Sequence, residues 1–284
     1  MAHVRIITDV TATLTQEMID RYRITILPVD VSFGDEVLLV QGYADRDRLM
    51  QRMTEEVARP ASTTIPAARF QQVYADLARE TGEILVLVAA RALTGAFDQA
   101  RIAAQEFLGR SRVVVMDTMA TSWGLGLVVE VAARLAAEGA SLDEVVRRVR
   151  GVLPHIYFAF FVERLDYLER GGRLDAAQAL LGSMLHIKAL LLIEDGDLVP
   201  LEKVRTRAQA VEKLVDFVAE FAQIERVVLL KSPIENEVNE LINDLRHELL
   251  LIFPNREFPE FEYDVILAAH LGPEAVGVMV YEGE

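Results

Sequence analysis

A chain of 284 residues exceeds what one compact core usually serves, so two domains are expected. Hydrophobic residues at 52% and charged residues at 26% suit a large core with a solvated surface, and the lack of cysteine excludes disulfides, thiolate metal sites and a cysteine nucleophile. The net charge of −15 disfavours nucleic acid and anionic membrane surfaces as partners, so an anionic ligand would need a local cationic pocket.

The chain opens at Met1-Ala2-His3-Val4 directly into a strand over Val4–Thr8, without a signal-peptide pattern. No apolar run approaches a membrane span, so a cytoplasmic protein without stable membrane insertion is expected. A helix over Thr15–Tyr22 and a strand over Ile24–Val31 follow. Helical periods cover Arg46–Val57 and Ala67–Glu80, with Pro60 and Pro66 punctuating the loop between them. Ile84–Ala89 reads as a buried strand, after which Thr94 caps a helix reaching about Phe107. Val113–Met116 is another strand, Leu125–Ala137 a helix ended by Gly139, and Ser141 caps a helix over Leu142–Val152. Strands alternating with helices in this way imply parallel crossovers.

Pro154 marks a change of pattern. Ile156–Val162 is an aromatic-rich strand, and Leu190–Ile193 and Leu198–Leu201 flank Glu194-Asp195-Gly196-Asp197, a hairpin signal. Val211–Phe221, Val227–Leu230 and Val238–Leu249 give helix, strand, helix, and strands over Tyr263–Leu267 and Val276–Val280 close the sheet. The expected fold class is α/β with two α/β domains, 1–154 with a mainly parallel sheet and 155–284 with a mixed sheet.

Ser62-Thr63-Thr64 reads as a hydroxyl-rich loop just before a helix, suited to an oxyanion or to ordinary N-capping. Arg91 stands at the carboxyl end of a strand, where α/β folds bind ligands; a surface arginine turned to solvent is the other reading. Asp9, at the end of the first strand, could be an acid–base or metal carboxylate or a turn cap. His270 is read in a loop after Val265–Ala269. His3, His155, His186 and His247 are scattered without metal-ligand spacing, so no metal site is expected. The double-glycine corner at Glu169-Arg170-Gly171-Gly172-Arg173 aims cationic side chains from one place, and Lys203, Arg205 and Arg207 form a second basic cluster. A Walker loop, a GxGxxG after a strand and a GxSxG elbow are all missing, which argues against an enzyme, and no catalytic residue is assigned.

The series Tyr167-Leu168-Glu169-Arg170-Gly171-Gly172-Arg173-Leu174, Leu180 to Lys188, Gly196 to Pro200 and Lys203 to Arg207 resembles the DegV family of bacterial fatty-acid-binding proteins. Ile6 to Leu14 looks like the family's opening strand and TDSTADL turn, with Val10 in place of the serine. Ser62-Thr63 stands at its TS pair, although the proline comes late at Pro66. Leu93 to Phe97 is similar to its LSGTY helix start, Asp117 to Gly126 fits its next block, and His270 to Ala275 is similar to its HTGPGA loop.

The resemblance implies a non-enzymatic carrier that presents a long-chain fatty acid to a separate fatty acid kinase, with no cofactor beyond that ligand. An acyl tunnel would lie at the domain interface. Carboxylate binding carries over to Thr63 with Ser62 beside it, to Thr94 and to His270. At Arg91 the chain departs from the family, whose residue there is serine; an arginine would offer a bidentate contact instead. Arg170, Arg173, Arg205 and Arg207 fall to the pocket or to kinase docking. The alternative is a small-molecule kinase or transferase related to dihydroxyacetone-kinase domains. Leu93, Phe97, Phe158, Phe160, Phe161, Leu180, Leu181, Met184 and Ile187 are candidate tunnel walls.

Overall fold

The computed structural model describes residues 4–33, 35–55, 60, 62–165, 167–168, 188–234 and 237–283. By contact density the chain divides into Met1–Arg46 with Ser62–Pro154, and Asp47–Ala61 with His155–Glu284.

The first part runs β1 (Arg5–Asp9), α1 (Gln16–Tyr22), β2 (Thr25–Leu27), β3 (Val29–Phe33), β4 (Glu36–Val40), the start of α2 (Tyr43–Glu55), whose residues from Asp47 onward count with the second part, then β5 (Ser62–Thr64) and α3 (Ala67–Leu77). It continues through β6 (Glu83–Val88), α4 (Ala96–Ala104), β7 (Arg112–Asp117), α5 (Ser122–Ala137) and α6 (Leu142–Val152). Strands β2-β1-β6-β7 form a sheet in that order, and every pairing in it is parallel. Residues Ile84 to Val88 are all fully buried, as an inner strand of a parallel sheet covered on both faces must be. Helices α3 and α4 pack together, as do α5 and α6.

The single strand expected over Ile24–Val31 is instead two. Pro28 has no N–H to give to a ladder, and it falls between β2 and β3. Beyond it, β3 joins β4 and β5 in an antiparallel sheet. The hydroxyl-rich loop is therefore also corrected: Ser62–Thr64 is a strand, with Ser62, Thr63 and Thr64 in register with Ser32, Val31 and Asp30.

The second part runs β8 (Ile156–Val162), β9 (Lys188–Glu194), β10 (Asp197–Val204), α7 (Arg207–Ala219), β11 (Ile224–Lys231), α8 (Leu241–Ile252), β12 (Glu260–Glu262), α9 (Val265–Leu271) and β13 (Ala275–Glu282). These strands form one mixed sheet, β10-β9-β8-β13-β11-β12, with β11–β12 parallel and the other pairings antiparallel. The β9–β10 hairpin turns on Asp195 and Gly196, whose φ angles of 50° and 84° place both in the left-handed region that such turns require. Phe161, Leu190, Val227 and Val278 pack in one core with Leu214 of α7 and Leu245 of α8.

The strand expected over Tyr263–Leu267 is a helix. Asp264 accepts hydrogen bonds from the backbone N–H groups of Ile266 (2.6 Å) and Leu267 (3.2 Å), which starts α9. A short apolar run has no period long enough to separate strand from buried helix, so the cap decides.

Candidate functional site

In the first part, the carboxyl ends of the parallel strands are tied together by two buried or half-buried carboxylates. Asp9 ends β1 and is fully buried. Its Oδ1 accepts from the Thr11 backbone N–H (3.0 Å) and the Thr11 hydroxyl, and its Oδ2 accepts from the Ala89 N–H (3.2 Å). Burial pushes its carboxyl above the ordinary value against those hydrogen bonds. Asp9 thus has the turn-capping role, and it fixes the segment that follows β6.

Asp117, at the end of β7, accepts from the backbone N–H groups of Arg91 (3.1 Å) and Met119 (2.9 Å). Ala90 N–H donates to Ala120 O at 2.9 Å, and the N–H groups of Leu93 and Thr94 both donate to Ala90 O. The 89–94 segment is therefore held from the ends of β1 and β7. Thr94 is buried, and its hydroxyl accepts from Ala96 N–H at 3.4 Å, at the start of α4. The Thr64 hydroxyl packs against Gly95; a Cβ there would stand 3.1 Å from Thr64 Oγ1. The sequence named Thr64 within the hydroxyl run without singling it out, and it is the packing against Gly95 that brings it to the helix start.

Arg91 is engaged within its own neighbourhood. Its Nε and Nη2 hold the two Asp98 carboxylate oxygens at 3.1 and 3.0 Å, and its guanidinium carbon lies 5.4 Å from the centre of the Phe97 ring. The side chain is 54% exposed, so this fork faces water and is open to exchange.

In the second part, His270 belongs to the last turn of α9 rather than to a loop, and it is half-buried. The turn behind it is rigid. Gly272 has φ of 80°, and a Cβ there would approach the Tyr167 ring to 2.6 Å. The buried Tyr263 hydroxyl donates to Gly272 O at 2.9 Å. An imidazole held by such a turn can donate a hydrogen bond to an oxyanion.

The basic cluster splits. Arg207 Nε donates to Glu163 at 2.7 Å and its Nη1 to Glu237 at 3.2 Å, while Lys188 Nζ reaches Glu163 at 2.6 Å. Arg205 is exposed and makes no ion pair among the described residues. Arg170 and Arg173 lie outside the described residues, as do Leu180, Leu181, Met184 and Ile187. Phe161 belongs to the core under α7 and α8, whereas Phe158 and Phe160 alternate with it and stack on each other at 6.1 Å. Among the described residues, no group of three His, Asp or Glu side chains could hold a metal ion, and no helix is long and apolar enough to cross a membrane.

Burial acts to raise the Glu163 carboxyl, but hydrogen bonds and charge from Arg207 and Lys188 outweigh it and hold the group below its ordinary value of 4.5. A carboxylate depressed in the folded state stabilises the fold above the unfolded value, and that contribution disappears as pH falls through the folded one. Glu163→Gln is expected to lose about 1 kcal/mol at pH 7, with side chains partly open to solvent limiting the effect. Urea unfolding at falling pH should show the gap between the proteins closing below about pH 4.5. A gap that stays constant would remove Glu163 as the titrating partner.

The family profile described as "Uncharacterised protein, DegV family" matches residues 3–283. A DegV domain-containing protein of Streptomyces coelicolor is 34% identical over 286 residues, covering 98% of each chain. A DegV family protein of Thermus thermophilus, whose structure was described for its fatty-acid binding, superposes with a TM-score of 0.83 at 28% identity over 100% of both chains. A Thermotoga maritima protein reported to reveal a fatty-acid-binding function gives 0.79 at 26% identity, also over 100% of both.

Proposed function

This chain belongs to the DegV family, and on that premise we propose that it is a fatty-acid carrier without catalytic activity of its own. The observation that carries the reading is the full-length likeness, in sequence and fold, to structures described as fatty-acid binding. The ligand is a long-chain fatty acid. Each buried methylene contributes roughly 0.8 kcal/mol, so the acyl chain supplies most of the affinity and the head group sets orientation.

Ser62, Thr63 and Thr94 from the first part of the chain, with His270 from the second, are proposed to bind the carboxylate. The strand ends that hold the 90–94 turn support this role for Thr94, since they fix the backbone that carries its hydroxyl before a ligand arrives. The protein is proposed to work in the cytoplasm and to present the bound acid to a separate fatty acid kinase. Arg205, exposed and unpaired among the described residues, is better suited to docking it than Arg207, whose guanidinium is already committed to Glu163 and Glu237. Arg170 and Arg173 are proposed for the same pocket or docking role.

Arg91 is proposed to contribute less than an unpartnered arginine would, because Asp98 competes for the same fork. Titration with a fluorescent fatty acid tests the reading as a whole, and saturable binding at one equivalent is the expected result. Arg91→Ala should weaken that binding by about 1 kcal/mol, and Asp98→Ala, which releases the fork, should strengthen it. Equal affinity in all three proteins would place Arg91 outside the head-group contacts.

A further inference from the structure

The opposite edge of the parallel sheet, where β6 and β7 begin, carries a cavity of about 580 Å³ between the end of α4, the 108–111 turn and β7. Cavities of this size fall within the roughly 300–1,000 Å³ range of small-molecule sites. Strand polarity separates it from Asp9, Arg91 and Thr94, which stand at the carboxyl ends of the same strands or just beyond them. Three arginines line it, Arg101, Arg110 and Arg112, and no acidic residue does.

Their states differ. Arg112 grips the exposed Asp143 with both terminal nitrogens. Arg101 rests over the Phe97 ring at 5.7 Å, which leaves its N–H donors uncommitted, and Arg110 makes no ion pair among the described residues. In a chain with 44 acidic and 29 basic residues, two arginines without a carboxylate on one concave surface are a local inversion of the field. Guanidinium forks match carboxylate and phosphate oxygens bidentately. Of the rest of the wall, Gln105 and Ser111 are polar and Ala104, Leu108, Val113 and Val115 are apolar. Val113 and Val115 project from β7 into the cavity, and Leu108, 81% exposed, stands at its rim. Gly109, with φ of 80°, makes the sharp turn that sets Leu108 and Arg110 on the same rim.

We propose that this cavity is a binding site for a small organic phosphate with a compact apolar body, its oxyanion held by Arg101 and Arg110 and its body laid over Leu108, Val113 and Val115. The site is separate from fatty-acid binding, and its test does not depend on that reading.

The probe is 1-naphthyl phosphate, titrated into the full chain and followed through backbone amide resonances. Saturable shifts confined to Gly82 and residues 101–115 are expected. The double variant Arg101→Gln/Arg110→Gln, at two exposed positions, should keep the folded spectrum and bind at least roughly tenfold more weakly, the scale of a lost charge-assisted hydrogen bond. 1-Naphthol, with the body but no phosphate, should bind more weakly than the phosphate ester. Shifts scattered over the surface, an unchanged affinity in the double variant, or naphthol binding as tightly as the ester would each overturn the site.

Discussion

Gly126→Ala is expected to destabilise the protein by about 3 kcal/mol, at the upper end of the usual cost of overpacking. A Cβ at Gly126 would stand 2.2 Å from Thr13 O and 3.0 Å from Thr13 C, and both are backbone atoms that no rotamer change can move. The same turn is also tied to α5 by Thr13 N–H, which donates to Ser122 O at 3.1 Å. That turn begins at Asp9, which fixes Ala89, so displacing α5 should loosen the 90–94 segment as well. Gly82→Ala is the control, because nothing lies within 4 Å of its added methyl. Urea denaturation of the two variants measures the difference. Equal midpoints would mean that α5 and the Thr13 turn can separate without cost.

His270→Ala is expected to weaken fatty-acid binding by about 1.5–3 kcal/mol, roughly ten- to a hundredfold, as for a hydrogen bond to a charged group. The half-buried imidazole sits on a turn fixed by Tyr263 and Tyr167, so its loss should leave stability nearly unchanged while affinity falls. His270→Gln keeps a donor and should recover part of the loss. Weak binding accompanied by an equally large drop in the unfolding midpoint would instead assign His270 to the structure of α9.

What the sequence conveyed depended on how local the determining interaction was. The helix Leu142–Val152 was readable at its start because Ser141 and Glu144 form a reciprocal capping box three residues apart. The hairpin at Asp195-Gly196 was readable for the same reason. Ile24–Val31 was not, because the break at Pro28 depends on β3 leaving one sheet for another. Tyr263–Leu267 failed because its apolar run fits either element, and a single capping carboxylate at Asp264 settles it.

The candidate site divides along the same line. Arg91 at a strand end was legible, but its pairing with Asp98 was a matter of rotamer and distance. The link between Arg207 and Glu163 spans 44 residues, beyond any spacing rule. Phe158, Phe160 and Phe161 looked equivalent as a run, yet strand alternation puts only Phe161 in the core under α7 and α8.

Native mass spectrometry of the purified protein, with and without added oleate, tests fatty-acid carriage most directly. The expected spectrum shows the chain carrying one fatty acid, either co-purified or taken up to one equivalent, and no bound nucleotide. A chain that stays unliganded in the presence of oleate, or that carries a nucleotide or sugar phosphate instead, would contradict the carrier function.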